Sequence, residues 1–170
     1  MKSKSLLNGS AVIVCGFNKT RIGLNAKIRD HNEFTEHTPM IGDRVICLKN
    51  NKRSNVPLYN GAHGTIRHIT KNSHLDFARS VIEMDGVNED MFRGKMLYGA
   101  FAKEKFNSYE TGPGKEVFDY GYAITAHKSQ GSEFEKVMVI EEGKYVWREN
   151  WNKWLYTAVT RSSDELLIVG

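Results

Sequence analysis

The chain has 170 residues, 40% of them hydrophobic and 26% charged, which suits one globular domain or a domain carrying a smaller insert. A mean hydropathy of -0.48 and the lack of any apolar run near the roughly 20 residues of a spanning helix exclude that class, and three prolines with 11% aromatics exclude collagenous and disordered classes. A net charge of +4 permits a polyanionic partner without establishing one.

Met1–Leu7 has two lysines but no apolar core of signal-peptide length, so a cytoplasmic location is the expectation. Ala11–Cys15 is a continuous apolar run, as in a strand covered on both faces. Asn18 and Thr20 offer N-cap chemistry, and Ile22, Ala26 and Ile28 then give a helical stripe with Arg21, Lys27 and Arg29 directed elsewhere. The pattern fades near His31-Asn32.

From Thr38 to Val117 the chain is rich in turns and short β-prone pieces. Arg44–Leu48, Gly64–Ile69 and Ser80–Met84 read as strands, with turns at Asn60-Gly61, His63-Gly64 and Asp85-Gly86. Together they predict a small antiparallel barrel, and Thr111–Gly114 reads as a linker leaving it. Tyr120–Thr125 reads as a strand, His127–Gly131 as a loop or short helix, and Lys136–Ile140 as a buried strand. Trp151, Trp154, Leu155, Ala158 and Val159 recur with helical spacing on one face, and Glu165–Val169 reads as a last strand. Trp147 has no predicted place. Cys15 and Cys47 sit inside apolar runs, as buried thiols do, and two cysteines cannot make a four-thiolate zinc site. The simplest architecture is an α/β domain of residues 1–36 and 119–170, with a parallel sheet and flanking helices, interrupted by a β-barrel at 37–118. The stop directly after the last strand suggests a piece of something longer.

Two stretches carry chemistry. Thr125-Ala-His-Lys-Ser-Gln-Gly-Ser-Glu133 follows a buried strand, at the end of an α/β sheet where ligands bind. Gly131 allows close backbone approach. Tyr156-Thr-Ala-Val-Thr-Arg-Ser162 puts Arg161 at the polar end of an apolar helix, and a guanidinium suits phosphate through its planar fork. Each alone has a plainer reading: Gln130-Gly131 as an ordinary turn, Arg161 as a cation at a helix C-terminus.

In this order, separated by one strand and one helix, the two stretches resemble motifs V and VI of superfamily 1 helicases, in the RecD-like branch that includes the phage Dda type. Ser162 departs mildly from that family's usual Ala. Cys15-Gly-Phe-Asn-Lys-Thr-Arg21 with Asn25 resembles the opening of the same second, RecA-like motor domain. Gly42–Ile46 and Tyr59–Ile66 are similar to the SH3-like barrel inserted there. The resemblance implies that Arg161 is an arginine finger at an inter-domain ATP site, with Gln130, Gly131 and Glu133 on the nucleotide side. It implies Thr125, His127 and Lys128 at the DNA backbone, although a solvated lysine explains Lys128 equally well. Asn18, Lys19 and Arg21 either meet DNA or nucleotide or simply begin a helix. In the barrel, Lys49, Lys52 and Arg53 near Tyr59 and His63 suit single-stranded DNA, or a solvated loop. Tyr98, Phe101 and Phe106 read as core or as packing against the motor domain.

No P-loop pattern occurs, since Gly112-Pro-Gly-Lys115 lacks its spacing and its hydroxyl. The implied protein is therefore the C-terminal half of an ATP-dependent DNA helicase of 5′ to 3′ polarity. ATP and Mg2+ would belong to the complete enzyme, with no metal held here. Its partners would be single-stranded DNA and an N-terminal P-loop domain of the same polypeptide, with no membrane. The chain alone would not hydrolyse ATP. The rival reading is a nucleic-acid-binding module without a motor.

Overall fold

A computed structural model describes residues 11–72, 74–87, 90–98, 101–103 and 114–170. Phe106, residues 111–113 of the expected linker and the opening segment through Ser10 lie outside the described residues. The chain divides into two compact units, one of the residues through Ile28 with Tyr122–Gly170, the other Arg29–Gly121.

The first unit is built on β1 (Ala11–Cys15), where Val14 and Cys15 are fully buried, as an unbroken apolar run requires. β8 (Ala123–Thr125) and β9 (Phe134–Ile140) flank it, and β10 (Ser162–Val169) pairs with β9. All pairings are parallel, in the order β10-β9-β1-β8. Helix α1 (Asn18–His31) follows β1; α2 (Lys144–Trp147), a 3-10 turn and α3 (Trp151–Val159) precede β10. Trp154 and Ala158 of α3 are buried and Trp151, Leu155 and Val159 half-buried, on the face their spacing indicated.

Helix α1 corrects the sequence reading. Its buried residues are Arg21, Asn25, Ile28 and Arg29, while Ala26 is exposed. The stripe at 21, 25, 28 and 29 is helical, but three of its members are polar, so hydropathy alone sets the wrong phase. They are tolerated because they are bonded. Asn25 grips the backbone of Ala123 in its own unit. Arg29, in the second unit, pairs with buried Asp43 (Nε–Oδ1 2.9 Å), donates to the carbonyls of Glu36 and Thr38, and lies 4.4 Å from the Tyr120 ring centre.

The second unit holds β2 (Arg44–Cys47), β3 (His63–Thr70), β4 (Phe77–Met84), β5 (Met91–Leu97), β6 (Lys115–Glu116) and β7 (Phe118–Tyr120). They form one sheet in the order β6-β5-β4-β3-β2-β7. The expected barrel is corrected here: among the described residues no pairing closes the sheet. Its two edges are nevertheless formed by neighbouring pieces of one stretch. Lys115-Glu116 runs along β5 and Phe118–Tyr120 along β2, while the Val117 carbonyl accepts from Leu48 N. The sheet therefore rolls without a closed ladder. β5 has no counterpart in the sequence reading because Gly94 interrupts its pattern; a Cβ there would lie 2.4 Å from the Phe92 ring. The single strand expected over Tyr120–Thr125 is two strands in different sheets. Gly121 makes the break, where a Cβ would meet Val45 backbone at 2.8 Å.

Inside, Phe92 packs on Phe118 (5.6 Å between centroids) with Val45, Ile46, Ile66 and Ile82 buried around them. Phe101 is buried and Tyr98 half-buried, as core residues, but His63, grouped with an exposed turn above, is 4% exposed. Burial pushes its imidazole down to about 4, with nearby Arg44 acting in the same direction. Lys52, Arg53 and Tyr59 are exposed and Lys49 half-buried.

Candidate functional site

The carboxyl ends of the parallel strands carry the site. The chain moves from β1 to β8 on one side and then to β9 on the other, so the order reverses between β1 and β9. At that switch Glu142, just after β9, accepts from Gly16 N (2.6 Å), Phe17 N (2.9 Å) and the Thr20 hydroxyl (2.8 Å). Its carboxylate takes the two amides just before α1 and a hydroxyl of its first turn, and lies at the positive end of the helix dipole. Trp147 lies against the same place, 4.9 Å from Phe17 and 5.1 Å from Trp154 between ring centres. Beneath them Cys15 is buried and its thiol is pushed up to about 12, by burial first and then by the Glu142 carboxylate.

The loop after β8 is held by its own backbone. Lys128 N and Ser129 N both donate to the Thr125 carbonyl (2.9 and 3.1 Å), buried Ser129 donates its hydroxyl to Ala126 O (2.8 Å), and Ser132 N donates to Ser129 O (3.1 Å). Gly131 takes φ 82°, which favours glycine, with open space around it. The turn presents His127, Gln130, Gly131 and Glu133 to solvent and leaves Lys128 half-buried. Thr125, expected at a DNA surface, is 6% exposed and serves the turn through its carbonyl.

Arg161 joins this loop to α3. Its Nε donates to Thr157 O, one nitrogen of the fork to Ser132 O and the other to the Thr160 hydroxyl, each at 3.0 Å. Its own carbonyl accepts from Phe134 N (2.8 Å). All these side-chain acceptors are neutral, and among the described residues no carboxylate pairs with it, so the half-buried cation is oriented without being neutralised.

His127 and Gln130 line one cavity of about 410 Å3 with Trp147, Trp154, Lys153 and Asn150. The structure thus brings together two residues that the family resemblance assigns to different partners. The cavity offers an imidazole, two amides and an ammonium around two indoles, an apolar lining with a few polar groups that suits a ring-bearing ligand. Among the described residues no group of His, Cys, Asp and Glu could hold a metal. Asn25, Glu142 and Trp147 were given no role by sequence reasoning. The available signal for Glu142 was its place directly after a parallel strand and before Gly143.

A polar loop at the carboxyl ends of parallel strands, beside a topological switch, stands where open α/β sheets bind their ligands. Residues 120–169 match the family model of the UvrD-like helicase C-terminal domain. An uncharacterized protein of Methanocaldococcus jannaschii is 30% identical over 132 residues, which is 76% of this chain and 10% of that protein. A Pif1 helicase from Bacteroides, in complex with ADP-AlF3 and ssDNA, superposes with a TM-score of 0.59 at 17% identity, over 98% of this chain and 44% of the other. Pif1 helicase from Candida albicans gives 0.54 at 12% identity, over 95% and 46%. The chain spans about a tenth of the curated relative and under half of the Pif1 chains. Residues 120–169 are thus similar to a UvrD-like helicase C-terminal domain, and the chain shares its fold with part of the Pif1 helicases.

Proposed function

We propose that this chain is the C-terminal RecA-like motor part of an ATP-dependent DNA helicase of the RecD-like branch. Its motor domain is the unit through Ile28 with Tyr122–Gly170, and its SH3-like insert is Arg29–Gly121, in place of the expected bounds 1–36, 119–170 and 37–118. The complete protein works in the cytoplasm, moves 5′ to 3′ along single-stranded DNA and unwinds duplex. The observation that carries this reading is Arg161, a guanidinium aimed by Thr157, Thr160 and Ser132 yet left without a counter-charge. Such a group fits the outer phosphate of a nucleotide held by a P-loop domain, and Gly131 fits close approach of its backbone. ATP with Mg2+ would supply the phosphoryl group and a cation that offsets its charge. Arg161 stabilises charge on those oxygens, and the helix-to-loop bonds hold it in place beforehand. His127 and Lys128 meet the DNA backbone, while Gln130 and Glu133 face the nucleotide.

One observation favours a second reading, a binding module without a motor: every guanidinium nitrogen of Arg161 already has an acceptor, as a helix cap would. The test is ATP turnover of the complete protein against single-stranded DNA concentration. Arg161→Ala should lower DNA-stimulated hydrolysis by about 10³–10⁵, and ATP binding should stay within about tenfold, because the P-loop supplies most ground-state contacts. Arg161→Lys should rescue poorly, lacking the planar fork. Near-normal turnover of a folded Arg161→Ala protein would replace the finger with the cap.

A further inference from the structure

The insert turns one face of β3, β4 and β5 outward, and that face is a grid of cations. Arg79 stands directly opposite Lys95, and Val81 opposite Arg93 on one side and His68 on the other. Directly opposed residues share a face, so the four basic side chains project together. His68, Arg79, Arg93 and Lys95 are exposed and line one shallow cavity of about 350 Å3. Arg79 also borders a neighbouring cavity of about 540 Å3 beside Lys71.

Like charges directly opposed across a ladder are destabilising. Elsewhere this sheet neutralises its cations: Arg67 pairs with Glu83, Arg44 with Asp85, and Lys115 with Asp76 at 2.8 Å. Among the described residues no carboxylate pairs with Arg79, Arg93 or Lys95. Lys95 instead holds its ammonium 5.0 Å from the centre of the Phe77 ring, and Lys115 lies 5.4 Å from the same ring. Among the described residues the grid is thus unpaired, while Glu83, two residues beyond Val81 on the same face, is taken by Arg67.

We propose that this face binds the phosphate backbone of duplex DNA without reading its sequence. Charge complementarity names a polyanion, and two guanidinium forks suit phosphate oxygens. Protein partners are held through buried aromatic and apolar anchors, whereas Val81 is the one apolar member of the Arg79–Lys95 and His68–Val81–Arg93 rows. Single strands are held by stacking bases on open aromatic faces, and the aromatic here, Phe77, is covered by two ammonium groups. The surface goes beyond the motor reading and does not depend on it, since none of these residues belongs to the helicase-like motifs.

The experiment measures binding of a short labelled duplex, the matching single strand and polyglutamate to the whole chain across a salt series. The triple variant should lose duplex binding more than single-strand binding relative to the wild type. In the variant Arg79→Gln/Arg93→Gln/Lys95→Gln the plot of log affinity against log salt should be shallower by about 2.7, three phosphates at about 0.9 each. Its melting temperature should stay level or rise, because opposed like charges are gone. Lys52→Gln/Arg53→Gln in the exposed loop should bind duplex as the wild type does. An unchanged salt slope in the triple variant, an equal loss in the loop variant, a loss of single-strand binding in the triple variant as large as its loss of duplex binding, or polyglutamate bound as well as duplex would each overturn the proposal. Failure of the Arg161 test above leaves all these outcomes as they are.

Discussion

Replacing Asn25 by alanine removes the clamp that sets the position of β8. Its amide nitrogen donates to Arg21 O (3.0 Å) and Ala123 O (2.9 Å), and its oxygen accepts from Ala123 N (2.9 Å). β8 is an edge strand, with β1 on one side only, so the N–H and C=O of Ala123 that point away from β1 depend on this side chain. Ala123 is fully buried. Two backbone groups stranded in the interior cost about 1–3 kcal/mol each, so Asn25→Ala should lose about 2–5 kcal/mol, a large part of a typical stability of about 5–15 kcal/mol. Asn25→Asp keeps the acceptor for Ala123 N but turns a second oxygen toward Ala123 O, and should recover little. Urea denaturation of the purified chain gives the energy, and hydrogen exchange at the Ala123 amide localises it. A loss under about 0.5 kcal/mol, the scale of an ordinary surface change, with unchanged exchange at Ala123, would refute the clamp.

His63 should make the chain acid-sensitive: its folded value of about 4 lies below the ordinary 6.5, so the unfolded chain takes up a proton first. Stability should be lost as pH falls from about 6.5 to 4, by about 3 kcal/mol from this group, and His63→Gln should flatten that window in thermal melts. Trp147→Ala should cost about 1–3 kcal/mol for its two ring contacts. Gly16→Ala, whose Cβ would fall 2.2 Å from the Trp147 ring, should cost a similar amount alone but much less in the Trp147→Ala background, as a double-mutant cycle of unfolding energies would read. Cys15 and Cys47, buried and raised to about 12 and about 11, should resist a thiol reagent at pH 8 until the chain is unfolded.

Elements with a strong one-dimensional signal were legible in the sequence. β1 is an unbroken apolar run, and α3 repeats its apolar residues at helical spacing. What failed were places where burial is achieved with polar groups or where one residue changes partners. The buried face of α1 holds Arg21, Asn25 and Arg29, and hydropathy does not register the bonds that permit this: Arg21 to Asn18, Asn25 to Ala123 and Arg29 to Asp43. Gly121 ends one sheet and begins another, yet Tyr120–Thr125 reads as one strand because both halves are β-prone. For the candidate site, the loop of His127–Glu133 and the arginine at the end of α3 were visible as patterns. The bond from Arg161 to Ser132 and the cap formed by Glu142 were not, because each joins residues on separate elements.

The contact between Arg29 and Tyr120 lies at the two ends of the inserted unit, 4.4 Å from guanidinium to ring centre. It shortens the search that the parallel sheet must make if the insert folds first. Ile13 must find Ala123, a partner on the far side of the whole insert. While the insert is unfolded, that search closes a loop of residues 29–121, costing about 3 kcal/mol more than a closure of a residue or two. Once the insert has folded, Arg29 and Tyr120 are already side by side, and β1 meets β8 as though the intervening chain were a short turn. The insert is thus a folding clasp for the parallel sheet, and weakening Arg29 or Asp43 should slow pairing of strands that neither residue touches.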